Sequence, residues 1–162
     1  MSDDRPEKPG AGAERRGGGD IPPSAAGPLE PYGARVLLQP ASSGLEPRQF
    51  LTGLLEDLAA SCLVSGALVI GHLKCLLHTP SGVIAANLTS VRSGARCTAP
   101  EEEATRVLEP GVSARLDLAV LVYGLPAATV DVLLRRALAG LLEPLEVEWS
   151  IAGPGEASST FS

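Results

Sequence analysis

His72, Cys75 and His78 are spaced HxxCxxH, the most chemistry-bearing spacing in the chain. On a helix, steps of three would bring the three side chains towards one face, and imidazole with thiolate is a zinc-binding set. On a strand, Cys75 points away from both histidines. The histidines are then separated by roughly 20 Å of extended chain, too far to share a metal. Lys74, Asn87 and Asp117, with His72, could serve a base or bind a polar ligand. Cys97, His72 and Asp117 include the residue types of a nucleophilic triad. The chain has no GxSxG, P-loop, GxGxxG or HExxH motif to support such chemistry. A cross-strand ion pair of Lys74 with Asp117 is commoner than a tuned base. Glu101, Glu102 and Glu103 are adjacent, so they cannot all point one way. They read as a solvated acidic loop with at most one helical turn. These features point away from an enzyme, a cofactor and a metal.

The elements that would position these residues centre on Gly66–Arg92, which reads as a β-hairpin turning at Thr79-Pro80-Ser81-Gly82. Pro suits the second turn position and Gly the fourth. The flanks are rich in Val, Ile, Leu and Thr. The expected register sets His78 against Val83, Leu76 against Ala85, Lys74 against Asn87 and His72 against Thr89. The opposite face pairs Leu77 with Ile84, Cys75 with Ala86 and Leu73 with Leu88. A one-residue slip would put His72 and Lys74 against apolar partners, so the pattern itself supports the register.

The 162 residues suffice for one domain. Hydrophobic residues are 44% and aromatics 3%, so the core must be built from Leu, Val, Ile and Ala. A net charge of −6 argues against general nucleic-acid or anionic-membrane binding. Cys62, Cys75 and Cys97 form neither a CxxC pair nor an even set, so no disulfide framework is expected. The first two fall at apolar positions and read as small buried hydrophobes. No signal peptide or membrane-spanning run is visible, and a cytoplasmic location is the expectation.

Residues 1–33 hold seven glycines, six prolines and ten charged groups, the composition of a disordered tail. Residues 152–162 form a second expected tail, leaving a domain over 34–151. Within it, Ala34–Gln39 reads as a strand. A helix follows from Pro47 to about Ser61, with Phe50, Leu51, Leu54, Leu55, Leu58 and Cys62 on one stripe. Gly53 would allow this helix close packing on the sheet. Val112–Tyr123 alternates as a strand, with Arg115, Asp117, Ala119, Leu121 and Tyr123 on one face. Ala127–Leu142 is a second amphipathic helix, stopped by Pro144, and Leu145–Ile151 is the last strand. The stretch Arg115–Leu142, a strand, a Tyr-Gly turn and a helix, resembles the end of the alkaline-shock protein family. That resemblance brings no function with it.

The order βαβββαβ implies an α+β protein: a two-layer α/β sandwich, mostly antiparallel and ferredoxin-like in outline. Two helices cover only one face of a sheet, and right-handed crossovers put both on the same side. The other face would carry His72, Lys74, Asn87, Thr89, Arg115 and Asp117, with Leu68, Ile70, Leu76, Val83, Leu121 and Tyr123. That mixture fits an interface better than either a core or open surface. The expected function is a non-enzymatic protein-interaction or assembly module working through this open face as a homo-oligomer. Leu76, Val83, Leu121 and Tyr123 would form its apolar centre and Lys74, Arg115 and Asp117 its polar rim. The partner would be the protein itself or another protein, with no nucleic acid. The alternative is a small enzyme or ligand-binding domain using His72, Lys74, Asn87 and Asp117, which would need those groups to line a pocket.

Overall fold

The computed structural model describes residues 29–152. Residues 1–28 and 153–162, which hold nearly all of the two expected tails, lie outside it. The elements in order are β1 (Tyr32–Pro40), α1 (Pro47–Val64), β2 (Val69–Thr79), β3 (Gly82–Leu88), β4 (Arg96–Cys97), α2 (Glu101–Ala104), β5 (Ala114–Tyr123), α3 (Ala127–Leu142) and β6 (Val147–Ala152). A 3₁₀ turn over Glu143–Leu145 carries Pro144 between α3 and β6. The class is α+β, with three helices and one six-stranded sheet in the order β4-β3-β2-β5-β1-β6. Every neighbouring pair is antiparallel. The folded unit begins ahead of the expected boundary at residue 34. Leu29 bridges Tyr123, Tyr32 and Gly33 belong to β1, and the Glu30 carboxylate accepts the Ala127 N–H at 2.8 Å.

β1 and β2 flank β5 and run antiparallel to it, so they are parallel to each other. β5 and β6 flank β1 in the same way. Two strand–helix–strand units therefore interlock, each leaving a gap that a strand of the other fills. Helix α1 packs on β2 and β3, α3 packs on β1 and β6, and the two helices pack on each other. One sheet face is thus covered. Its strands bury alternate residues there: Val36 and Leu38, Leu73, Cys75 and Leu77, Ile84, Ala86 and Leu88, and Leu116, Leu118, Val120 and Val122. No polar or charged residue is buried among the described residues.

Helix α1 runs three residues beyond the expected Ser61. It ends in a Schellman arrangement: the Gly66 N–H donates to Leu63 O and the Ala67 N–H to Cys62 O. Gly66 supplies the positive φ of 104° that this cap requires. Gly53 faces α3, not the sheet. A Cβ placed there would meet Leu141 Cδ2 at 3.8 Å, an ordinary contact, so tight packing does not demand glycine at that position.

The hairpin register agrees with the expectation from His78–Val83 through Leu73–Leu88. The ladder stops there, so Thr89 lies past the end of β3 and is not paired with His72. A second departure occurs on the other side of β2. Ile70 pairs with Val122 and His72 with Leu121, leaving Gly71 as an extra residue, a β-bulge. The bulge resets side-chain alternation. Ile70, expected on the outer face, turns inward and packs on the core, while Val69 takes the outer position opposite Tyr123. Gly71 lies close under β5, where an added Cβ would sit 3.0 Å from Leu121 O.

Burial separates the three free cysteines. Cys62 and Cys75 are 0% and 1% exposed, and burial pushes their thiols up to about 11 and about 12. Cys97 is half-buried on the two-residue strand β4. A thiol reagent at neutral pH should therefore modify one cysteine per native chain and three in denaturant. Peptide mapping should find Cys97 as the native product, and rapid native labelling of Cys75 would mean that the covered face opens readily.

Candidate functional site

Five strands present an outer face that no described helix covers. Its rows follow from the pairing. One runs Val83, His78, Arg115, Leu37, Ser150. The next runs Ala85, Leu76, Asp117, Arg35, Ala152. A third joins Asn87, Lys74, Ala119 and Gly33. Beyond these, His72 faces Leu121 and Val69 faces Tyr123. The sheet therefore brings together His72, Lys74, Leu76, Val83, Asn87, Arg115, Asp117, Leu121 and Tyr123. Thr89 and Leu68 stay off the face, Thr89 just past β3 and Leu68 just ahead of β2, where its N–H donates to Tyr123 O at 2.8 Å.

Asp117 lies in the middle of this face, because β5 is an inner strand. Arg35 Nε donates to its Oδ1 at 2.7 Å. His78 Nε2 and Arg115 Nε stand 3.1 and 3.3 Å from Oδ2, close enough for charge attraction but without hydrogen-bond alignment. Partial burial works to raise the Asp117 pKa. The Arg35 hydrogen bond and the charges of Arg115, Arg35 and His78 outweigh it and hold the carboxyl below its ordinary value. The expected Lys74–Asp117 pair does not form: Lys74 stands opposite Ala119 and Asn87, and Asp117 opposite Leu76 and Arg35.

This cluster divides the apolar surface. Leu76, Val83 and Ala85 lie on its hairpin side, and Leu76 and Val83 are 43% and 49% exposed. Val69, Leu121 and Tyr123 lie at the Gly71 end of β2 and β5. The expected apolar centre is thus two patches, and Asp117 and Arg115 sit on an inner strand rather than at a rim. Two of the depressions that open on this face bear on the expected site. One, of about 450 Å³, is lined by Lys74, Leu76, Asn87, Asp117 and Ala119 among others. The other, of about 650 Å³, is lined by Leu37, Gln39, His78, Arg115, Glu148 and Ser150 among others. Three of the four polar residues of the ligand-binding alternative share the first depression, and His72 stands outside it.

Cys75 points into the core and His72 and His78 point outward, so HxxCxxH cannot converge on an ion. Among the described residues, no three His, Cys, Asp or Glu side chains are grouped to hold a metal. Glu101 is engaged by Arg48, whose two terminal nitrogens donate to its carboxylate at 2.8 and 2.6 Å. No described helix is long and apolar enough to cross a membrane.

Residues of β1 and β6 complete the face: Arg35, Leu37 and Gln39, with Glu148 and Ser150. The alternation in Ala34–Gln39 marks these β1 positions, but strand order is needed to show that Arg35 stands beside Asp117. A separate cluster ties β1 to α3. The Tyr32 hydroxyl donates to Asp131 Oδ1 at 2.6 Å, and Arg135 Nε donates to Oδ2 at 2.8 Å. Burial, then the Asp131 carboxylate, raises the Tyr32 pKa. The two hydrogen bonds lower that of Asp131.

No family model, curated protein or solved structure matches the chain.

The Asp117 cluster gives a pH test. A carboxylate with a lowered folded-state pKa stabilises the fold above the ordinary carboxylate value, and that contribution disappears as pH falls through the folded value. Asp117→Asn should cost about 1 kcal/mol at pH 7, the scale of a partly exposed ion pair. In urea denaturation across pH, the gap from wild type should be full above about pH 5 and shrink below about pH 4. A gap independent of pH would assign the loss to packing instead.

Proposed function

We propose that this chain is a non-enzymatic assembly module that associates through the outer face of its sheet, with a second copy as the partner. The observation that carries this reading is an uncovered five-strand face on which exposed aliphatic side chains alternate with charged ones. A monomer gains nothing by keeping Leu37, Val69, Leu76 and Val83 in water. At the usual strand spacing and rise, the face covers roughly 700 Å², close to the ~800 Å² that each partner contributes to a standard interface. The face carries Arg35, Lys74 and Arg115 together with Asp117 and Glu148, so a second copy offers charges of both signs. The ferredoxin-like plan, with its helices on one side, is the arrangement that leaves such a face available.

The ligand-binding alternative draws on the depression that Lys74, Asn87 and Asp117 share. It is weaker because the depression is open and Asp117 already has Arg35, Arg115 and His78 around it.

Burying a Leu side chain is worth roughly 1.5–3 kcal/mol, and an exposed ion pair about 0–1 kcal/mol. Leu121→Asp should therefore lower the sedimentation-equilibrium mass at least two-fold, with an unchanged circular dichroism spectrum. Lys74→Ala should weaken association no more than about five-fold. A Leu121→Asp protein that folds and keeps the wild-type mass would remove the outer face as the site of association.

A further inference from the structure

The two edges of the sheet differ. β4 is two residues long and lies just ahead of Pro100, which blunts that edge. β6 is six residues long, with no Pro, no Lys and no break in its register with β1. Its outer edge is paired with no described strand. The ladder fixes which backbone groups face outward. The Ala41 N–H donates to Glu146 O at 3.0 Å, whereas Pro40 O accepts from Gly111 on the far side of β1. In an antiparallel ladder this phase alternates. Glu148, Ser150 and Ala152 therefore direct their backbone groups at β1, and Val147, Trp149 and Ile151 direct theirs outward.

We infer that β6 is a strand-addition site whose occupant is β6 of a second copy, paired antiparallel about a two-fold axis at Trp149. In this register Trp149 meets Trp149 of the second copy, and Val147 meets Ile151. All three outward-facing residues then exchange their backbone bonds. On the outer face Glu148 stands opposite Ser150, so no like charges oppose each other. Moving the axis to Glu148 sets two carboxylates against each other, and moving it to Ser150 leaves Val147 without a partner within β6. The half-buried Trp149 and Ile151 side chains, which pack on the core, gain cover from their counterparts at the seam. The sheet then runs on through both copies. This pairing uses a different surface from the proposed face association and does not depend on it.

The test uses the full chain in sedimentation equilibrium, in wild type and in Leu121→Asp, which disables the outer face. A dimer should persist in Leu121→Asp. Adding Ser150→Glu should raise its Kd about ten-fold, because it sets carboxylates opposite each other at both ends of the seam. Adding Glu148→Lys to Ser150→Glu should restore the dimer. Independently of charge, Glu148→Cys and Ser150→Cys chains, each carrying Cys97→Ser, should form an inter-chain disulfide when mixed. Neither should do so alone, since only the mixture brings paired positions within disulfide reach. A monomeric Leu121→Asp protein that also gives no mixed disulfide would overturn the inference. So would a dimer indifferent to Ser150→Glu, or a monomer that instead takes up an extended peptide along β6. Should Ser150→Glu fail to fold, the cysteine pair decides.

Discussion

The covering of one sheet face, and only one, is the constraint on which this structure depends. The inward residues of β5, Ala114, Leu116, Leu118, Val120 and Val122, are at most 5% exposed. β5 stands between β1 and β2, the strands that begin and end the first crossover, so its inner side lies between α1, which packs on β2, and α3, which packs on β1. Among the described residues Phe50 is the one buried aromatic, and the rest of the core is aliphatic with two thiols. Dense packing is then a matter of interdigitating Leu and Val from two helices with Leu, Val and Ala from the strands.

With both helices on one side, the outer face must stabilise itself. It does so through Asp117. A carboxylate partly withdrawn from water on an inner strand requires compensation, and Arg35 on one neighbouring strand and His78 on the other provide it, with Arg115 from β5 itself. The cluster spans three strands and pins their mutual register at the centre of the sheet. It also separates two apolar patches, which gives the face an arrangement of charge and grease rather than a uniform hydrophobic plane. The bulge at Gly71 shapes one of those patches, since it turns Ile70 inward and brings Val69 out beside Tyr123.

The margins follow different physics. At one edge, β4 is too short to template another chain, and the acidic segment beyond it folds back as α2, where Glu101 binds Arg48 of α1. At the other edge, β6 is regular and long enough to add a strand. Tyr32 and Asp131 fasten the neighbouring strand β1 to α3.

Local patterning alone was sufficient for the hairpin register, the two long helices, the alternation of β5 and β6, and the burial of Cys62 and Cys75. In each case, moving one residue would place charge in the core or Leu in water, and that penalty is written in the chain. The α+β class follows from the same alternation. Three features required the tertiary structure. The partner of Asp117 is Arg35 and not Lys74, because strand order is set by how the two crossovers interlock, which no local pattern encodes. The inward turn of Ile70 depends on a single unpaired glycine pressed against Leu121 O, a backbone event invisible to periodicity. The outward direction of the β6 backbone groups depends on the phase of its ladder with β1. Side-chain periodicity reports which face a residue takes, but only the pairing of whole strands decides which neighbours it finds there.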